Sequence, residues 1–155
     1  MAQTHIDALY QRLILDHYRN PRNKAALARH SVEASRCNPV CGDEVTVQLV
    51  VEEGRIARAA FTGHGCSISQ AAASMMTDVV RGLDAAEALR MAERFQAMMT
   101  APGLPAPGPE DPLGDLRALQ GVSRFPVRVP CAMLAFEALR DALAGVGGTP
   151  CPPVH

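Results

Sequence analysis

Tryptophan is absent from this 155-residue chain, and tyrosine and phenylalanine are held to two and four. Aromatic platforms for stacking nucleic-acid bases are therefore in short supply. An excess of one charge is also missing: fifteen Lys and Arg face sixteen Asp and Glu, a formal charge of -1, so no global field draws in a polyanion. No apolar run is long enough to span a membrane, and Met1 to Ile14 interleaves His5, Asp7 and Arg12 with its apolar positions, unlike a signal peptide. The expectation is a cytoplasmic protein with neither nucleic acid nor membrane as partner.

What is present is an ordinary globular balance, 48% hydrophobic and 20% charged, in a length suited to one core. Residues 1–144 read as a single domain and 145–155 as a Gly/Pro-rich tail. Five cysteines, an odd number without an export signal, fit metal or sulfur chemistry in a reducing compartment better than a disulfide framework.

Periodicity divides the domain into elements. Ile6, Leu9, Tyr10, Leu13, Ile14 and His17 predict a helix over Thr4 to Tyr18, started by Thr4 and Asp7 and ended before Asn20-Pro21. A weak strand is expected around Ser31 to Arg36. Val45, Val47, Leu49 and Val51 alternate with polar residues over Glu44 to Glu52. Glu53-Gly54 then turns the chain into a second strand, Arg55 to Thr62, with Ile56, Arg58 and Ala60 on one face and Ala57, Ala59 and Phe61 on the other.

After Gly63-His64-Gly65, an apolar stripe from Ile68 to Leu83 predicts a helix with a Ser67/Gln70 capping box. Another helix follows an Asp84 cap and runs to about Met99. Five prolines and two glycines in Thr100 to Pro112 mark an irregular insertion. Leu113 to Leu119 reads as a short helix and Pro130 to Leu143 as a buried one. The fold class is α+β, a small antiparallel sheet of about three strands packed against helices.

Cys41, Cys66 and Cys131 share a context: each lies where an irregular segment meets an ordered element. Cys66 precedes the Ser67 cap, and Cys131 follows Pro130, a residue suited to a first helical turn. Helix N-termini stabilise thiolates, so both thiols are expected below the usual range near 8.5. Cys41-Gly42-Asp43 adds a third sulfur and a carboxylate, completing four ligands of the types zinc accepts. A 64-residue interval between Cys66 and Cys131 is no zinc-finger pattern, so spacing alone favours buried or unpaired thiols over a metal site.

Other candidates have plainer readings. His64, between glycines, reads as a solvated imidazole, and Cys37 as an incidental thiol despite its Cys37-x3-Cys41 spacing. Cys151 belongs to the tail. Met75, Met76, Met98 and Met99 read as core fillers.

Four blocks carry a resemblance. Tyr18-Arg19-Asn20-Pro21-Arg22-Asn23, Cys41-Gly42-Asp43, Gly63-His64-Gly65-Cys66-Ser67-Ile68-Ser69 and Phe125-Pro126-Val127-Arg128-Val129-Pro130-Cys131-Ala132 together resemble the U-type iron-sulfur assembly family, in order and over almost the whole chain. The long Cys66-to-Cys131 interval and the Cys-Ser-Ile-Ser form are similar to its zinc-dependent SufU branch. The scaffold branch carries a histidine where Pro130 stands, and SufU-like chains a basic residue.

The resemblance implies a SufE/NifU-like fold, with zinc held by Cys41, Asp43, Cys66 and Cys131. It implies that Cys41 is the sulfur acceptor and Arg128 a cation compensating the site's negative charge. The implied activity is sulfurtransfer, as co-substrate and activator of a SufS-type cysteine desulfurase, with downstream iron-sulfur assembly proteins as recipients. Its alternative is a scaffold on which a [2Fe-2S] cluster is built.

Overall fold

The computed structural model describes residues 2–101 and 111–145, with side chains from residue 8 onward. The central part of the Pro-rich insertion (102–110) and the tail from 146, with Cys151, lie outside the described residues. The elements follow in the order α1 (Ala2–Arg19), β1 (Val32–Asn38), β2 (Asp43–Glu52), β3 (Arg55–His64), α2 (Ser67–Val80), α3 (Ala85–Met99), a 3-10 helix (Gly114–Arg124) and α4 (Val129–Leu143). Helix α1 starts ahead of the predicted Thr4 cap, which places Thr4 inside the helix. The weak strand is real and two residues longer at its end than expected.

The three strands form one antiparallel sheet in the order β1-β2-β3. Glu53 (φ 52°) and Gly54 (φ 78°) are both left-handed, as a two-residue hairpin turn requires. Val45, Val47 and Leu49 are fully buried as predicted. Val51 is exposed, because a bulge between Val50 and Val51 breaks the alternation. The same bulge corrects the reading of β3: Val50 pairs with Arg58 and Val51 with Ile56, so Ala57 is the extra residue. Ile56 thereby joins Ala59 and Phe61 in the core instead of sharing a face with Arg58.

Helices cover one face of the sheet, α4 across β1 and β2 and α2 against β3. Helix α2 is buried from Ser69 through Thr77, so it is a central helix with no solvent face along that stretch. The predicted Ser67/Gln70 capping box does not form. Cys66 is the N-cap, and the Gln70 amide instead donates toward the Glu44 carbonyl and Ser69. Asp84 does cap α3, its carboxylate accepting from the Glu87 N–H at 2.8 Å while the Glu87 carboxylate accepts from the Asp84 N–H at 3.2 Å. Phe95 of α3 and Phe136 of α4 meet at 4.3 Å between ring centroids, and Met75, Met76 and Met99 fill the core around them.

A buried polar relay ties α1 down. His17, 1% exposed, pairs through Nδ1 with Ser74 Oγ at 2.8 Å and through Nε2 with Asp115 Oδ2 at 2.9 Å. The following Asn20-Pro21-Arg22-Asn23 block crosses to the sheet, where the Asn23 carbonyl accepts the Phe61 N–H and its side-chain amide donates to Thr77 and Asp78. This docking holds the β3 end, and with it the segment leading to Cys66, against the helices.

Candidate metal centre

Cys41 lies on the turn joining β1 to β2, and Asn38 builds that turn. Its side-chain oxygen accepts the Val40 N–H at 3.1 Å, and its carbonyl accepts the N–H groups of Cys41 at 3.2 Å and Gly42 at 2.8 Å. Its amide nitrogen also approaches Cys41 Sγ at 3.6 Å. The sequence reading passed over Asn38. The Asn-Pro dipeptide that signals such a turn was the available cue.

Asp43 opens β2 and is only 1% exposed. One carboxylate oxygen accepts the Cys66 N–H at 2.8 Å, and the other lies 3.5 Å from Cys66 Sγ. Asp43 thus satisfies one free N–H group at the start of α2, the task a side-chain cap would otherwise perform. The surrounding glycines are part of this fit. A Cβ on Gly65 would lie 2.2 Å from Asp43 Oδ1, and one on Gly63 would lie 2.1 Å from the Glu44 carbonyl oxygen. The sequence reading treated Gly63-His64-Gly65 as a break and missed this close approach.

Cys131 enters from α4, in the first turn opened by Val129 and Pro130, and is fully buried. Its Sγ lies 3.7 Å from Cys41 Sγ. The donor atoms of Cys41, Asp43 and Cys131 all fall within 4.8 Å of one another, whereas Cys66 approaches only Asp43, 3.5 Å from its Oδ2, and is not part of that close group. Cys41 is exposed and Cys66 half-buried, so access to the sulfurs is graded.

The expected low thiol pKa at Cys131 is corrected. Burial, followed by the neighbouring Asp43 and the other two thiols, pushes the Cys131 thiol far up. Desolvation, together with the crowded acceptors Asp43, Cys41 and Cys66, outweighs the helix N-terminus. Arg128, the N-cap of α4, is exposed and makes no ion pair among the described residues. With Cys66, it lines a hollow of about 730 Å³. His64 is turned away, 3.3 Å from Glu44 Oε2 with 64% of its side chain exposed. Cys37 lies in β1 opposite Glu44.

This donor set suits a tetrahedral dication. Two thiolates bound at about 2.3 Å to one tetrahedral zinc lie about 3.8 Å apart. Cys41 and Cys131 already stand at 3.7 Å. The residues therefore fit zinc without rearrangement of the two sulfurs from α4 and the β1-β2 turn.

Known proteins share this arrangement of chain. The chain is 44% identical over 139 residues to the zinc-dependent sulfurtransferase SufU of Bacillus subtilis, covering 90% of this chain and 92% of that protein. It is 38% identical over 144 residues to the iron-sulfur cluster assembly scaffold protein IscU of Streptococcus pyogenes, covering 92% of this chain and 87% of the other. The crystal structure of a nitrogen-fixing NifU-like protein (N-terminal) from Brucella abortus superposes with a TM-score of 0.75 at 29% identity, over 91% of this chain and 96% of that one. The NifU-like N terminal domain matches residues 9–132. With that match spanning the sheet, α2 and the first turn of α4, the chain belongs to the NifU-like N-terminal domain family.

Proposed function

We propose that this protein is a zinc-dependent sulfur acceptor, taking persulfide sulfur from a SufS-type cysteine desulfurase for delivery to iron-sulfur assembly proteins. The observation that carries the reading is the convergence of Cys41 and Cys131 at 3.7 Å beside buried Asp43, with Cys41 alone of the three exposed. The likeness to a zinc-dependent sulfurtransferase supports it.

Cys41, Asp43, Cys66 and Cys131 would hold the zinc. When bound, the metal supplies a redox-inert charge that keeps thiolates deprotonated and leaves carried sulfur unoxidised. Arg128 offsets the net negative charge that three thiolates and a carboxylate leave around a dication.

Cys41 does the chemistry. Its thiolate attacks the terminal sulfur of the donor's cysteine persulfide, and the donor's sulfur-sulfur bond breaks. The electron pair leaves with the donor cysteine as a thiolate, and Cys41 carries the persulfide. Asn38 holds the turn so that Cys41 faces outward through this exchange, while Asp43 and Cys131 stay shielded.

A scaffold for a [2Fe-2S] cluster is the second reading, favoured by the likeness to IscU. Pro130, beside Cys131, contributes no further donor to a cluster. Metal analysis of aerobically purified protein, together with desulfurase assays, separates the two. Zinc near one equivalent and stimulated turnover are expected. Cys41→Ser is expected to abolish stimulation, and full stimulation by that variant would remove Cys41 as acceptor.

A further inference from the structure

The hollow of about 730 Å³ that Cys66 and Arg128 line is apolar over most of its walls. Helix α1 contributes Tyr10, Ile14 and Leu15, α2 contributes Ile68, and the 3-10 helix with the turn after it contributes Val122 and Phe125. Leu15 and Phe125 are 41% and 61% exposed, so large apolar side chains stand uncovered there. The frame around them is fixed: the His17 imidazole ties α1 both to Asp115 of the 3-10 helix and to Ser74 of α2. A preformed apolar hollow of this volume lies within the range of small-molecule sites, about 300 to 1,000 Å³.

Two cations border this apolar space. Arg124 closes the 3-10 helix and Arg128 caps α4, and only a tight turn separates them, in which the Arg128 N–H donates to the Phe125 carbonyl at 2.8 Å. Both are exposed, and neither makes an ion pair among the described residues, whereas Arg22, Arg36, Arg55 and Arg94 are each paired with a carboxylate. No Asp or Glu among the described residues lines the hollow. An apolar body with an anionic end meets both features, since the walls gain from covering the body and the guanidiniums from a charge-assisted pair with a carboxylate.

We propose that this hollow binds a small amphiphilic carboxylate, its aliphatic chain held between α1 and the 3-10 helix and its carboxylate group held by Arg124 and Arg128. Gly121 makes room for the chain. It lines the hollow, and a Cβ added there would meet no heavy atom within 4 Å, so the side chain it lacks is part of the open space. Cys66 borders the same hollow, while Cys41 is not among the residues that line it. An occupant therefore lies beside the centre and leaves the exposed Cys41 thiol uncovered. Binding in the hollow does not depend on sulfur transfer at Cys41.

The test is isothermal titration calorimetry of the full-length chain with octanoate, kept below its micelle-forming concentration, beside octanol and acetate. One equivalent of octanoate is expected to bind, and octanol and acetate, each retaining half of the recognition, about ten-fold more weakly or worse. Arg124→Gln is expected to weaken octanoate about ten-fold and to leave octanol unchanged. Gly121→Leu, which fills the space, is expected to abolish octanoate binding while Tm and metal content stay at the parent values, which shows that the variant folds. Absence of octanoate binding, equal binding of octanol, or octanoate binding that survives Gly121→Leu overturns the proposal. Failure of octanoate to bind, combined with weaker desulfurase association of Gly121→Leu, would assign the hollow to a protein partner and overturn it equally. Cys41 is intact throughout, so none of these outcomes bears on its role as sulfur acceptor.

Discussion

At the scale of single residues, the space around Asp43 is the tightest constraint on the site. Gly65 has φ near +146°, and its hydrogen atom occupies the place where a Cβ would meet the Asp43 carboxylate. Gly65→Ala is therefore expected to push Asp43 out of line, lowering zinc affinity about 10- to 100-fold, the usual effect of disturbing groups that orient a ligand. Competition with a chromophoric chelator measures this, with circular dichroism showing that the fold survives. Asp111 gives a separate, pH-dependent prediction. The Arg94 guanidinium, bonded at 3.0 and 3.1 Å through Nε, holds its carboxyl below the usual carboxylate range, helped by the Leu113 N–H. A lowered folded pKa stabilises above the unfolded carboxylate pKa, and the contribution disappears as pH falls through the folded value. Asp111→Asn should thus lower Tm at neutral pH and flatten its dependence on acidification between about pH 5 and the acid limb.

At the scale of elements, α4 supplies both Cys131 and the helix cover over β1 and β2. Its position depends on packing against α3, where Phe95 and Phe136 are fully buried in mutual contact. Phe95→Ala removes a large ring from a site enclosed by rigid helices and is expected to cost about 3 to 5 kcal/mol, read from chemical denaturation. The ion pair of Arg36 with Asp141, at 2.6 Å, adds a polar tie between β1 and α4. Being partly exposed, it sets orientation more than stability. The elements that frame the centre are therefore fastened to one another independently of the centre.

At the scale of the whole molecule, the continuous core from β2 through α2 and α4 predicts that zinc is not needed for folding. Chelation of the purified protein is expected to preserve its helical circular dichroism, lower Tm in proportion to the lost binding energy, and abolish desulfurase stimulation. Loss of helical signal on chelation would instead assign the metal a structural role. No helix among the described residues is long and apolar enough to cross a membrane.

The sequence by itself determined the kinds of element and their order, because periodicity, caps and turns act within a few residues. The hairpin with its Glu53-Gly54 turn, the Asp84 cap and the Pro130 start of α4 were all legible in this way. Cys41, Cys66 and Cys131 stood out through their positions at junctions, and Asp43 beside Cys41; of these the structure brings Cys41, Asp43 and Cys131 together. Tertiary structure alone decided the rest. It shifted the face of Ile56 through a bulge, and made Cys66, not Ser67, the N-cap of α2, with the Asp43 carboxylate accepting its N–H. It also reversed the expected pKa direction of Cys131. Proton affinity depends on burial and on charges brought together from β2, α2 and α4. Those groups, with Cys41 of the β1-β2 turn, are separated by as many as 90 positions along the chain, a distance over which local patterns carry no information.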